Sequence, residues 1–466
     1  LALLLFLSIF VNWSSENSRV FKNTSFFGFG YFMVTMNWIV EPFLVDVHSH
    51  GWLAPLALSA TAGVLSVFWA VGAYLGYLVF KSVSGLALGI GLSEVARGFF
   101  FTGFPWGLLG YIWTDTPVAQ MAAYIGVYGL TLTTVFFCGI ALEIARRKGF
   151  FTSTLYFLAA ISGIWVLGNL RMSEPTYTDV VKIIRLSQPN ATQEQKWHPE
   201  YSKTFYNRQL EYILKDPKPD LVIWPETALP IPLEMAGPLV QKMADTADGI
   251  PVLFGALRFQ EGQYFNSIIY LDSHGTAVPI YDKHHLVPFG EYLPFEHFFE
   301  KAKIKSFGRL FATGFATGAG PVVVEIKKLG KVFPVICYES VFPQYFVGLK
   351  QRPALIMQVT NDAWFGHLSG PQQHLSKAQM RSIETGLPLV RVANTGISGL
   401  IDPFGRLLDN LPLDEAGYLD VRVPQAIPVT LFSYLGLSVV AYLALLFGSI
   451  CFFSSRVFAY VDEGSK

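Results

Sequence analysis

The strongest constraint on this chain is the distribution of its long apolar runs, which lie towards the two ends. A bilayer-spanning helix needs about 20 apolar residues. Runs of that kind occupy 26–45, 53–80, 82–104, 119–144, 150–170 and 428–453. An apolar run at 1–12 begins without methionine, and we interpret it as part of a membrane segment whose beginning is missing. A signal peptide is the alternative, but no basic stretch precedes this run and no small-residue cleavage site follows it.

The segment between these runs has a different rhythm. Only 15% of the 466 residues are charged, against about 25% in soluble proteins, and the shortfall is concentrated at the ends. Short β-branched runs alternate with polar stretches at 180–187, 221–226, 251–256, 266–272, 331–339 and 354–362, and 200–215 suits a helix. Buried strands separated by helical stretches predict an α/β sandwich.

We therefore predict a multi-span α-helical membrane region at 1–171, an α/β domain at 172–427, and a final membrane helix with a tail at 428–466. Loops with Lys or Arg near residues 19–22, 81 and 146–148 alternate with loops that lack them. Because basic loops stay in the cytoplasm, the α/β domain is expected outside it and the tail inside. The net charge of zero gives no reason to expect a nucleic-acid partner.

Three predicted strand ends each carry one reactive group. The segment 221–230 presents Glu226, the segment 281–294 presents Lys283 with Glu291 eight residues later, and the segment 332–343 presents Cys337 with Glu339 two residues on. A thiol nucleophile, a carboxylate base and an ammonium that stabilises an oxyanion suffice for acyl transfer. Taken singly, Cys337 could be a small buried hydrophobe and Glu226 one half of a surface ion pair. The joint pattern predicts a cysteine thioester.

From about residue 26 onward, the motifs resemble those of the apolipoprotein N-acyltransferases, a membrane family of the nitrilase superfamily. The resemblance is carried by GFGYFMVTMNWI (28–39), EVARGFFFTGFPWGLLGY (94–111), WPETALP (224–230), KHHLVPFGEYLP (283–294), ICYE (336–339), NDAWFG (361–366) and RVANTGISGLIDPFG (391–405). It implies an αββα sandwich of the nitrilase type beside the membrane helices. The first helix of the family, and part of the second, have no counterpart here.

The resemblance also implies which residues act. The family's catalytic glutamate, lysine and cysteine match Glu226, Lys283 and Cys337. Its supporting positions match Glu291, Tyr338 and Glu339, and two positions near its substrate path match Trp197 and Trp364.

The implied reaction is the last step of bacterial lipoprotein maturation. The acyl donor would be a phospholipid, typically phosphatidylethanolamine, and the acceptor the free amino group of the lipid-modified N-terminal cysteine of an apolipoprotein. The enzyme would lie in the inner membrane with its catalytic domain on the periplasmic side, and it would need no cofactor or metal.

Other functions remain open on the residues alone. The same three residues could serve a membrane-tethered amidase that uses water as the acceptor, or the domain could be an inactive lipid-binding scaffold or transporter part. A Cys–His dyad could use His285 or His374. Metal binding is disfavoured, because His284, His285, His367 and His374 do not form a Cys/His quartet with zinc spacing.

Two charged features near the membrane have two interpretations each. Arg97 either pairs with Glu94 three residues earlier on one helix, or it binds a lipid phosphate below the aromatic turn that follows. The stretch 295–311 mixes aromatic and basic residues. It is either a surface helix with a solvated basic face or a lid that rests on anionic headgroups.

Overall fold

The structure is a computed structural model, and it describes residues 17–174, 182–196, 198–292, 294, 314–327 and 329–463. Three features predicted above lie outside the described residues, namely the apolar run 1–12, Trp197 and the stretch 295–311.

The first part of the described chain is helical. Its long helices are α1 (Asn17–Thr35), α2 (Ala54–Phe80), α3 (Val83–Arg97), α4 (Ala122–Lys148) and α5 (Phe150–Met172). Stretches long and apolar enough to cross a membrane are Val47–Phe80, Pro117–Lys148 and Phe150–Met172, and these contain three of the predicted spans. Most side chains of α5 are exposed although they are apolar, as expected of a helix whose solvent is lipid.

Three other predicted spans are interrupted, and in the last of them, 428–453, the chain turns at Gly436. Helix α3 ends at Arg97, inside the apolar run 82–104, with Gly98 as its C-cap, and the chain then turns through Phe101 and Gly103, which have φ +58° and +80°. Helix α1 ends at Thr35, inside the run 26–45, and short helical turns at Glu41–Leu44 and Val47–His50 connect it to α2. Apolar composition predicted these segments as membrane spans, but it did not show where the backbone turns.

Helices α2 and α3 touch backbone to backbone. A Cβ added at Gly89 would lie 1.9 Å from the carbonyl oxygen of Gly72, and one added at Gly76 would lie 2.1 Å from that of Gly85. Small residues on both helices allow this approach, as is common between helices in membranes.

Helix α4 is broken at one residue. Gly126 has φ +66° and ψ 172°, which is not helical and which a residue with a Cβ rarely adopts. The backbone N–H of Val127 donates a 2.7 Å hydrogen bond to Oε1 of Glu384, far away in sequence. The break in α4 is thus closed by a carboxylate from the α/β part.

The α/β part contains two six-stranded sheets. The first has the order β12-β1-β2-β3-β4-β5 and the second β11-β10-β9-β8-β7-β6. The strands are β1 (Ile184–Gln188), β2 (Leu221–Ile223), β3 (Val252–Gln260), β4 (Gln263–Leu271), β5 (Ala277–Asp282), β6 (Val324–Ile326), β7 (Gly330–Ile336), β8 (Leu355–Thr360), β9 (Leu389–Ala393), β10 (Ser398–Ile401), β11 (Leu407–Leu411) and β12 (Gly417–Val421). In each sheet three central strands are parallel and the outer pairs antiparallel.

Successive side chains of a strand point to opposite faces of its sheet. The strands therefore contribute to a core between the two sheets and to a core on the outer face of each sheet. Leu221 and Ile223 of β2 face the second sheet, where they share a core with Met357 and Val359 of β8. On the outer faces lie α6 (Pro199–Ile213), α7 (Gly237–Ala247) and α8 (Gly370–Thr385). The predicted αββα sandwich is confirmed.

The sandwich is joined to the membrane helices by partly buried polar contacts. Gln373 on α8 accepts a hydrogen bond from the indole of Trp106 (2.5 Å) and donates to the carbonyl of Thr35 (3.0 Å). After the last strand the chain passes Leu431–Leu435, turns at Gly436 (φ +58°), and ends in α9 (Ser438–Glu463), which packs on α4. The α/β part therefore sits directly on the helices.

Candidate active site

The three predicted catalytic residues lie together at one edge of the sandwich. Glu226 follows β2, Lys283 follows β5, and Cys337 follows β7. Because β2 and β7 are central parallel strands, their carboxyl ends bring polar groups from the two facing sheets to the same place. All three side chains are buried, with 6% of Glu226, 1% of Lys283 and 6% of Cys337 exposed.

Cys337 lies in a sharp turn. Strand β7 stops at Ile336, and a 3-10 helix begins at Cys337, whose φ is +51°. A non-glycine residue with positive φ costs about 1–3 kcal/mol and persists only where its surroundings impose it. Here the 3-10 helix is buried throughout and the carbonyl of Cys337 is hydrogen-bonded. The turn fixes the cysteine where the strand ends.

The carboxylate of Glu226 is held at both oxygens. Oε1 accepts a 2.7 Å hydrogen bond from the side-chain amide of Asn266, and Oε2 accepts one of the same length from the backbone N–H of Asn361. The ammonium of Lys283 lies 3.6 Å from Oε1. These contacts leave the carboxylate little freedom to rotate.

Lys283 is placed between two carboxylates. Its Nζ donates a 2.8 Å hydrogen bond to Glu291, whose other oxygen accepts from the backbone N–H of Val287. Burial alone would lower the pKa of Lys283, but the carboxylates of Glu291 and Glu226 outweigh it and hold that pKa above its ordinary value. The site therefore contains a permanent cation.

The thiol of Cys337 is protonated in this arrangement. Burial raises its pKa well above the ordinary value, the charge of Glu226 raises it further, and Lys283 acts in the opposite direction. A neutral thiol becomes a nucleophile only when a base removes its proton. The arrangement can therefore perform base-assisted nucleophilic attack.

The carboxylate of Glu339 is hydrogen-bonded to other groups of the protein. This fully buried carboxylate accepts hydrogen bonds from Tyr281 (2.8 Å), from the backbone N–H groups of His284 (2.8 Å) and His285 (3.2 Å), and from Ile336 N (2.7 Å). Burial would raise its pKa, but the side chain of His284 and these donors hold the pKa below its ordinary value. Glu339 therefore ties the chain after Lys283 to the chain around Cys337.

Tyr338 faces the membrane helices. Its ring packs edge-on against Phe342 at 5.0 Å and belongs to a buried cluster that includes Trp106 and Leu109. Its hydroxyl is buried and makes no hydrogen bond to the residues that the structure describes. Burial raises its pKa, so it stays a neutral phenol.

The structure gives no support to either proposed histidine base. His374 is 3.1 Å from the carbonyl oxygen of Cys337, and its other ring nitrogen is 2.9 Å from Asp362. His285 is bonded to the hydroxyl of Tyr345 at 2.6 Å, and burial lowers its pKa to about 4. Hydrogen bonds between the thiol of Cys337 and these rings are absent among the described residues.

Two predicted substrate contacts have different outcomes. Arg97 is 2% exposed, with hydrogen bonds to both oxygens of Glu94 and to the carbonyls of Phe104 and Trp106. Its guanidinium is thus committed to the protein, which favours the paired interpretation over the phosphate contact. Trp364 is 44% exposed on the turn after β8, available to a ligand, whereas Trp197 is not described.

Three further residues contact the site and were missed by sequence reasoning. Asn266 bridges Glu226 and Glu291, since its amide also lies 3.3 Å from Glu291 Oε1. Asn361 supplies the backbone donor to Glu226, and the Nζ of Lys196 lies 3.2 Å from the carbonyl oxygen of Glu226. Asn266 stands at the start of an apolar run, which was the one available signal.

An αββα sandwich that presents cysteine, lysine and glutamate at its strand ends defines a class, that of the carbon-nitrogen hydrolases. The sequence matches the carbon-nitrogen hydrolase family over residues 188–427. A solved carbon-nitrogen hydrolase superfamily protein from Xanthomonas campestris matches 52% of this chain and 90% of its own, with a TM-score of 0.39 and 21% identity. The class assignment rests on the sequence match and the fold.

The helical part of the chain identifies the family within this class. Residues 1–140 match the apolipoprotein N-acyltransferase N-terminal domain. Apolipoprotein N-acyltransferases of Rhodopseudomonas palustris and Brucella melitensis are 36% and 35% identical to the chain, over 88% and 85% of its length and 81% and 78% of theirs. The chain belongs to the apolipoprotein N-acyltransferase family.

Proposed function

We propose that this protein transfers a fatty acyl group from a phospholipid to the N-terminal amine of an apolipoprotein, through a thioester on Cys337. The observation that carries the proposal is the convergence of Glu226, Lys283 and Cys337 in one buried site beside membrane helices. The names of the relatives supply the acceptor, and the geometry supports the nucleophile, the base and the cation.

The first half-reaction acylates the cysteine. Glu226 takes the proton from the thiol of Cys337, and the thiolate attacks the ester carbonyl of the phospholipid. The ammonium of Lys283 stabilises the tetrahedral oxyanion. The ester C–O bond then breaks, Glu226 returns the proton to the leaving oxygen, and a lysophospholipid departs.

The second half-reaction consumes the thioester. The neutral amine of the apolipoprotein attacks the thioester carbonyl, and Glu226 accepts a proton from the nitrogen. The C–S bond breaks, and the thiolate of Cys337 takes the proton back. Burial of the site limits the access of water, which favours transfer to the amine over hydrolysis.

The remaining roles follow from placement. Glu291 positions Lys283, Glu339 positions the chain before Cys337, and Trp364 lies where a substrate can reach it. We propose phosphatidylethanolamine as donor and the bacterial inner membrane as location. The α/β domain at 172–427 would be periplasmic, since the basic loops alternate with loops that lack Lys and Arg.

The test follows the acyl group. The purified protein is given vesicles whose phosphatidylethanolamine carries a labelled acyl chain, with a diacylglyceryl peptide that has a free N-terminal cysteine amine. We expect the label on the amine of the peptide. A peptide with an acetylated N-terminus is the control. Label recovered only as free fatty acid would support the amidase-type alternative and contradict the proposal.

A further inference from the structure

Lys196 is a second buried lysine beside Glu226. It lies between β1 and α6, and 7% of it is exposed. Its Nζ is 3.2 Å from the carbonyl oxygen of Glu226 and 2.5 Å from the hydroxyl of Thr227. The ammonium therefore contacts the backbone turn that carries Glu226, whereas Lys283 contacts the carboxylate.

This turn has an unusual backbone. Thr227 has φ +47°, which a β-branched residue rarely adopts. One side of the turn is held by β3, where Gly255 accepts a 2.7 Å hydrogen bond from Ala228. A Cβ on Gly255 would lie 2.6 Å from the Cα of Glu226, so the contact is close. Lys196 holds the other side, and the turn is clamped between them.

The surroundings of Lys196 allow its ammonium to lose a proton. A cavity of about 20 Å³ adjoins it, which is room for about one water. Gln209 also lines this cavity, and its buried Oε1 makes no hydrogen bond to the described residues. Burial lowers the pKa of Lys196 to about 8, while the charges of Glu226 and of an ionised Cys337 act in the opposite direction.

We propose that Lys196 is a positioning residue for the base: its charged form holds the left-handed turn at Thr227 and so keeps the carboxylate of Glu226 directed at the thiol of Cys337. Hydrogen bonds from a charged donor are roughly twice as strong as those from a neutral one. Loss of the proton therefore loosens the turn, and activity falls as the pH rises. The inference rests on the proposed function, because it assigns Glu226 the role of base.

The pKa values of the two lysines are shifted in opposite directions. Lys283 has its pKa held above the ordinary value and stays charged throughout the accessible range. Lys196 loses its charge near pH 8. The rate of Cys337 acylation should therefore fall at alkaline pH. This fall should come from deprotonation of Lys196 and not of Lys283.

The experiment measures acylation of Cys337 by a short soluble acyl ester, by intact mass, from pH 6 to 10. The wild-type rate should fall with a midpoint near pH 8. Lys196→Arg should keep the rate at pH 7 and lose this fall, since arginine stays charged. Lys196→Met should be slower by about 10- to 100-fold, as misplaced catalytic groups are, and without the fall. Lys203→Met, on the exposed face of α6, is the matched control.

The outcomes are distinct. If both Lys196 variants keep the wild-type midpoint, or Lys196→Met is as fast as wild type at pH 7, the inference is wrong. If arginine does not fit at position 196 and Lys196→Arg is slow, the pH profile of Lys196→Met still tests the inference. A profile without the alkaline fall supports it, and a profile with the wild-type fall contradicts it. If wild type forms no adduct on Cys337 at any pH, the proposed function fails instead.

Discussion

Two buried polar clusters flank Cys337, and they use similar residue types for different purposes. The first contains Glu226, Lys283 and Glu291. The second contains His374 and Asp362, which with the cysteine have the composition of a Cys–His–Asp triad, and Arg391, which pairs with Asp362.

The two clusters act on different parts of Cys337, one on its backbone carbonyl and the other on its thiol. His374 is 3.1 Å from the carbonyl oxygen of Cys337, so the second cluster holds the backbone. Glu226 and Lys283 are instead the charges with the largest effects on the pKa of the thiol. Asp362 is saturated by His374, Arg391 and Thr360. Residue types alone therefore do not identify a catalytic set, since the second cluster has suitable types and yet holds the backbone of Cys337.

The largest effect is expected when the nucleophile itself is replaced. With phospholipid present and the acceptor withheld, a two-step mechanism must accumulate acyl-enzyme. We expect one fatty acyl mass on the peptide that contains Cys337, released by neutral hydroxylamine, and none in Cys337→Ala. Cys138→Ala, in the buried core of α4, is the matched control and should keep the adduct. Acyl label on a serine or histidine would contradict the assignment.

The first cluster should be sensitive to its cation. Lys283→Met should slow acylation by about 10²–10³, as the loss of one oxyanion donor does elsewhere. Glu291→Gln should act mainly by misplacing Lys283, to which it is bonded at 2.8 Å. The double variant should then be little slower than Lys283→Met, because residues that act as a unit are not additive. Losses that multiply would show an independent role for Glu291.

The second cluster should affect stability more than chemistry. His374→Gln removes a buried ring that bridges Asp362 and the carbonyl of Cys337, so we expect a lower melting temperature and a rate loss of no more than about tenfold. Intact-mass acylation and thermal unfolding in detergent would measure both. A variant that melts like wild type and forms no adduct would instead support a Cys–His dyad and reverse the comparison.

Another buried carboxylate, Glu384 on α8, extends the comparison to the pH dependence of stability. Burial raises the pKa of Glu384 from its ordinary value of 4.5 to about 7, opposed by Arg381 and by the N–H of Val127. Because the folded protein holds this proton more tightly, the stabilisation is complete below pH 4.5 and is lost as the pH rises through 7. The expected loss is about 3 kcal/mol.

Thermal unfolding in detergent between pH 5 and 8 would test this. The melting temperature of wild type relative to Glu384→Gln should fall as the pH rises, since glutamine does not titrate. Glu211→Gln, on an exposed position of α6, should leave the profile of wild type unchanged. Parallel profiles for wild type and Glu384→Gln would mean that this carboxylate does not titrate in the range.

Much of the fold was predictable because the core strands are rich in β-branched residues. All six predicted runs overlap strands of the structure, and the predicted helix 200–215 is α6. The missed strands are mostly outer ones with polar faces. Strand β11 has no buried residue, and β9 carries a buried arginine, Arg391. Alternation with a polar face or a buried charge gives no apolar run to find.

The candidate site was predictable only where a residue type implies chemistry. Glu226, Lys283 and Cys337 are reactive groups at strand ends, and the structure brings them together. Asn266 and Lys196 act through what they touch, and neither contact has a regular spacing in sequence. Arg97 shows the converse, because a charge in an apolar run suggested a ligand, while four hydrogen bonds hold it inside the protein.

The break in α4 at Gly126 has a consequence for protein engineering. At this break the buried N–H of Val127 donates to Glu384, and two turns earlier on the same helix α8 the Nζ of Lys377 lies 3.8 Å from the ring centre of Trp106. An excised, water-soluble version of the α/β part would leave both groups without these partners. A chimera with foreign helices would need an equivalent donor and indole at matching depth. The two parts are therefore not interchangeable modules, although the sequence divides into two regimes.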